Sequence, residues 1–192
     1  MKIIKNKLSL KNLLAFLDDI DLKGKWIIPS RAFRVVYDEK DNTLYKKLNF
    51  FVEAGVLLYL AQGFYANKRA RSKTAFFLEE MARYFRPNDI FYESLESRAS
   101  ELSLISQIPN RLTLVTNGRS YIYNTPLGII EFTHKKLDYK KFQELINKNL
   151  ILYNGTKKIY CAEKDLVVKD LIQTNRAVDL IYEQERKTYA NL

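Results

Sequence analysis

Thr43-Leu44-Tyr45-Lys46-Lys47-Leu48-Asn49-Phe50-Phe51-Val52-Glu53-Ala54-Gly55-Val56-Leu57-Leu58-Tyr59-Leu60-Ala61-Gln62-Gly63-Phe64-Tyr65-Ala66-Asn67 contains a change of hydrophobic period that decides the fold of the first third of the chain. Leu44, Leu48, Phe51 and Val52 recur at helical spacing, so the spacing predicts a helix from Thr43 to about Ala54 with one apolar face. Asp41 or Asn42 is placed to cap it, and Gly55 to stop it. Beyond Gly55, Val56–Ala61 and Phe64–Asn67 are short apolar or aromatic runs separated by Gln62-Gly63. Glycine supplies the positive φ that a tight turn needs, so the two runs read as a β-hairpin.

Two more helices precede this stretch. Leu10, Leu13, Leu14 and Leu17 form an amphipathic row after Ser9, a suitable N-cap, in a helix read from Leu8 to Leu17. Trp26-Ile27-Ile28 suggests a brief strand. Pro29-Ser30 opens a second helix to about Tyr37, with Ala32, Phe33 and Val36 facing inward, and Asp38 to Asn42 reads as a turn. Three helices followed directly by a hairpin are the order of a winged helix-turn-helix.

Charge distribution fits that expectation. The 192 residues carry 32 Lys and Arg against 22 Asp and Glu, a formal +10. Up to Arg71 there are 14 basic and 7 acidic residues; the remainder has 18 and 15. The basic excess therefore concentrates in residues 1–71, as expected for a polyanion partner. In a winged helix-turn-helix the third helix enters the major groove of double-stranded DNA. Its outward residues here are Thr43, Tyr45, Lys46, Lys47 and Asn49. Lysine can contact guanine, asparagine can pair with adenine, and Thr43 and Tyr45 can donate to phosphate. Arg31 and Arg34 on the second helix are placed to hold the backbone. Gln62, Lys68, Arg69 and Arg71 extend the contact from the wing. The same fold can instead hold a protein, with these lysines merely solvated.

After Arg71 the chain is expected to form a second domain, residues 72–192, making the whole α+β: a winged helix-turn-helix and then a mixed α/β domain with a small antiparallel sheet. Helices are read at about 74–84, 91–104, 139–147, 164–173 and 176–186. Leu112–Thr116, Tyr121–Asn124 and Gly128–Thr133 read as strands of an antiparallel meander, and Lys158–Ala162 as a further strand.

Catalytic chemistry finds little support. Cys161 is the only cysteine and His134 the only histidine, which gives no disulfide framework, no structural zinc set and no obvious nucleophile–base pair. There is no phosphate-binding Gly-x-x-x-x-Gly-Lys-Ser/Thr loop. Glu131, Lys135 and the distant Asp89 are the nearest approach to a nuclease carboxylate–lysine site, at unsuitable spacing, and Glu131 is expected to face solvent or a partner. We therefore expect no enzymatic activity and no cofactor. No leader segment or membrane-spanning run is evident, so a cytoplasmic protein is expected.

Ser94-Leu95-Glu96-Ser97, Leu104-Ile105-Ser106-Gln107-Ile108-Pro109, Leu112-Thr113-Leu114-Val115-Thr116-Asn117-Gly118-Arg119-Ser120 and Thr125-Pro126-Leu127-Gly128-Ile129-Ile130-Glu131-Phe132-Thr133-His134 occur in that order. With Ala162-Glu163-Lys164-Asp165 and Asp170-Leu171, they resemble the AbiEi family of type IV antitoxins. The resemblance implies a bacterial regulator that represses its own toxin–antitoxin operon through the winged helix. It also implies a C-terminal domain that counteracts a nucleotidyltransferase toxin. Such a repressor is expected to bind operator inverted repeats as a monomer or weak dimer that pairs on DNA. Most of these motif residues are expected to be structural, with Ser94–Ser97 capping a helix and Pro126–Gly128 shaping a turn. The polar residues Arg119, His134, Lys135, Lys136, Lys157 and Lys158 are the candidates for meeting a partner, whether an acidic toxin or more DNA.

Overall fold

Ser9 starts the first helix, its hydroxyl accepting the Asn12 amide at 3.3 Å. In the computed structural model, which describes residues 6–177 and 179–181, that helix is α1 (Leu10–Leu22). It continues beyond Leu17 because Ile20 extends the row packed against the core. The chain is α+β, with seven helices and two sheets among the described residues. It divides into two units, Met1–Phe77 with Thr125–Leu127, and Leu78–Asn124 with Gly128–Leu192.

In the first unit, β1 (Ile27–Pro29) leads into α2 (Ser30–Val36), then α3 (Asp41–Glu53), β2 (Leu57–Ala61) and β3 (Phe64–Asn67). The strands form a small antiparallel sheet in the order β1-β3-β2. Leu13, Leu17, Phe33, Leu44, Leu48, Phe51, Leu57 and Tyr65 share one core, with Phe33 edge-on to Tyr65 at 5.8 Å. α3 begins two residues before the expected Thr43. Lys40 holds the cap position without a side-chain cap bond, and Asp41 lies in the first turn, where a carboxylate complements the positive helix end. Gly55 ends the helix at φ +70°. Its amide bonds Val52 O and the Val56 amide bonds Phe51 O, a Schellman closure that redirects the chain into β2.

The second unit contains α4 (Phe77–Phe85), β4 (Phe91–Glu93), α5 (Leu95–Glu101), β5 (Arg111–Thr116), β6 (Tyr121–Thr125), β7 (Gly128–His134), α6 (Tyr139–Asn147), β8 (Ile151–Asn154), β9 (Ile159–Ala162) and α7 (Lys164–Thr174). Its sheet is mixed and six-stranded, in the order β6-β7-β5-β4-β9-β8. Residues 91–104 are not one helix: Tyr92 and Glu93 are buried as a strand between β5 and β9, and Leu95 breaks the path at φ +61°. The strands after Leu112 are not a meander, because β5 pairs parallel with β7, Thr113 opposite Glu131. β5 is buried on both faces from Leu112 to Thr116, whereas β6 is largely exposed. The continuously buried strand therefore takes the interior position and β6 the edge. Ile151–Asn154, unassigned from sequence, is the other edge strand. The helix read at 176–186 does not include Arg176 or Ala177, and its later part lies outside the described residues.

Candidate nucleic-acid interface

With Leu44, Leu48 and Phe51 packed inward, α3 leaves Thr43, Tyr45, Lys46, Asn49, Phe50 and Glu53 exposed on its other side. Lys46 has no ion-pair partner among the described residues. Tyr45 is held from α2: the Arg34 guanidinium donates to its hydroxyl at 2.8 Å and lies 5.6 Å from its ring centroid. Arg34 also pairs with Asp41 at 3.2 Å, so α2 and α3 share a fixed polar edge. Arg31 stands exposed on the same helix as Arg34.

Lys47 is placed differently from the sequence expectation. Its ammonium is drawn back to Glu39 and to the Leu8 carbonyl, the latter at 3.0 Å. This lysine therefore ties α3 to the segment before α1 instead of standing outward with Lys46. The Lys47 ammonium, bonded to the carboxylate, outweighs burial and holds Glu39 below its ordinary value.

Gln62 is exposed at the β2–β3 turn, and Lys68 and Arg69 follow β3. The Lys68 ammonium lies near Gly55, at the negative end of α3, a placement the helix dipole favours. The basic connector is anchored through Asp21, which accepts the backbone amides of Arg71 and Ser72 at 3.0 Å each, leaving the Arg71 side chain exposed. These bonds, that from the Ser72 hydroxyl foremost, hold the Asp21 carboxyl low. Sequence reading missed Phe50, which is 62% exposed on α3. Its apolar character suggested burial, but its position one residue before Phe51 puts it on the outer side.

Candidate partner residues of the second unit separate into exposed and internal groups. Arg119, His134, Lys136 and Lys158 are exposed, although His134 Nδ1 lies 2.8 Å from the Gly118 carbonyl. Lys157 is only 7% exposed and bonds Glu93 at 2.7 Å and Glu101 at 2.8 Å. Lys135 bonds Asp170 at 2.6 Å. Both are internal ion-pair partners, because buried carboxylates require cations nearby. Asp170 also accepts the hydroxyls of Tyr92 and Ser94. Ser94 therefore occupies the cap position of α5 while its hydroxyl reaches α7 instead of capping.

Glu131 is likewise not turned to a partner: Arg111 and Arg176 hold its two oxygens at 2.9 and 2.6 Å. Burial pushes this carboxyl up, but the two guanidiniums outweigh burial and hold it below its ordinary 4.5. A lowered folded-state value means that the stabilisation is present above the unfolded value and is lost as pH falls through the folded one. Glu131→Gln is accordingly expected to flatten the acid limb of stability below about pH 4.5, as read by urea unfolding across pH. An unchanged limb would contradict this role.

Cys161 lies beside Glu93, and burial, reinforced by that carboxylate, pushes its thiol up to about 12. It is not a thiolate near neutral pH. Among the described residues, no group of three or more His, Cys, Asp or Glu is placed to hold a metal ion, and no helix is long and apolar enough to cross a membrane. No protein-family model matches the chain, and no curated protein matches it.

Proposed function

We propose that the chain is a DNA-binding transcriptional autorepressor whose first unit acts as a winged helix-turn-helix, with α3 as the reading helix and the β2–β3 hairpin as the wing. The observation that carries this reading is the exposed row Tyr45, Lys46 and Asn49 on a helix whose opposite side is locked into the core. Lys46 and Asn49 offer base-edge chemistry, and Arg31, Arg34, Lys68, Arg69 and Arg71 offer phosphate contacts. Its operator would be inverted repeats, with two copies pairing on half-sites about 34–36 Å apart. The order of the Ser94–His134 motifs supports the further reading that this cytoplasmic, non-catalytic regulator is a type IV antitoxin of the AbiEi kind, counteracting a nucleotidyltransferase toxin.

Phe50, 62% exposed on α3, favours a second reading, in which the same surface holds a protein. A reporter driven by the DNA upstream of the chain's own reading frame distinguishes the two. Autorepression predicts that the protein lowers reporter output and that Lys46→Ala combined with Asn49→Ala restores it. Output indifferent to the protein would favour the protein-binding reading.

A further inference from the structure

The second unit carries an aromatic cleft of about 280 Å³, lined by Arg83, Phe91, Tyr139, Tyr153, Lys158 and Tyr160 among others. Tyr139 and Tyr153 are 72% and 58% exposed, and an edge-on contact with Tyr160 at 5.4 Å steadies Tyr153. An exposed, steadied ring with a second exposed tyrosine lining the same cleft offers a stacking platform for a planar ligand.

Two cations accompany these rings. Arg83 Nε is buried without a hydrogen-bond partner among the described residues, a donor left unsatisfied in a cleft wall. Lys158 sits exposed at the turn between β8 and β9 with φ +57°. Among the described residues, neither cation is ion-paired. Among the described lining residues the one carboxylate, Asp89, is paired with Arg86 at 2.7 Å. The lining is therefore aromatic with a net positive charge.

We propose that this cleft binds a nucleotide unit, its base against Tyr139 and Tyr153 and its phosphate on Lys158 and Arg83. The volume lies just under the usual range for small-ligand pockets, which suits one base with its sugar phosphate and not a longer ligand. That chemistry is shared by a free mononucleotide and by one nucleotide of a single strand. The site is independent of α3 and of the autorepressor reading.

Equilibrium dialysis of the full chain against the nucleoside monophosphates, the parent nucleosides and an eight-residue oligothymidylate tests it. Mononucleotide binding is expected, reduced roughly tenfold in Tyr153→Ala, the order of one lost stacking contact. Lys158→Asn, which tolerates the left-handed backbone, should weaken nucleotide binding but leave nucleoside binding unchanged. Binding of the oligothymidylate alone, with the same Tyr153 dependence and retained in Lys46→Ala, would also support the site and identify a single strand as its ligand. No binding of either at millimolar concentration, or binding indifferent to Tyr153→Ala, would overturn it.

Discussion

Lys46→Ala is expected to weaken binding of the operator duplex by about 5- to 160-fold, the effect of losing a base contact of about 1–3 kcal/mol. Lys46 is exposed on α3, without an ion-pair partner among the described residues, so its ammonium is available to DNA. Asn49→Ala should act differently, relaxing preference at one adenine while leaving the salt dependence nearly unchanged. If Lys46 meets phosphate instead, affinity should fall evenly across sequences and the salt slope should drop by about 1. Lys47→Ala is the internal contrast. Because Lys47 serves Glu39 and Leu8, its loss should reach stability before DNA affinity. Fluorescence anisotropy with a labelled duplex reads all three variants. Equal losses from Lys46→Ala and Lys47→Ala would contradict the assignment of the outer face.

Lys157→Met is expected to destabilise the second unit by about 3–5 kcal/mol, because it leaves Glu93 as a buried charge without its cation. Glu93 is 3% exposed and Lys157 7% exposed, whereas the third member, Glu101, reaches solvent. The double variant Lys157→Met with Glu93→Leu should recover most of that loss, since apolar groups of similar volume can replace a buried ion pair. Urea unfolding measures both, with a lowered midpoint at unchanged slope marking a true stability change. A single variant that unfolds within about 1 kcal/mol of the parent would mean that the pair is dispensable.

The contrast between Lys46 and Lys47 shows how far the sequence was readable. The helix carrying them was legible because Leu44, Leu48 and Phe51 report one face through local spacing, and Gly55 and Gln62-Gly63 punctuate it. The separate fates of two adjacent lysines were not, because Glu39 and the Leu8 carbonyl decide them from elsewhere in the chain. The same reason hid the internal role of Lys157, which answers to Glu93 and Glu101. Tyr92-Glu93 was absorbed into a longer helix because three residues are too few to show a period of two. β5 and β7 looked like members of a meander because nearest neighbours in sequence usually pair. Their parallel register depends instead on which strands can be buried on both faces. Exposed Phe50, Tyr139 of α6 and Tyr153 of the β8 edge were similarly hidden, since composition suggests burial and only tertiary placement shows otherwise.

Whether α3 reads DNA is decided by binding of the purified protein to the DNA upstream of its own reading frame, compared with an unrelated duplex over a series of salt concentrations. Tighter binding to the upstream duplex is expected, with log K falling against log salt at a slope near −5 for about six phosphate contacts. Equal weak binding to both duplexes, or none, would contradict a DNA-reading role for α3.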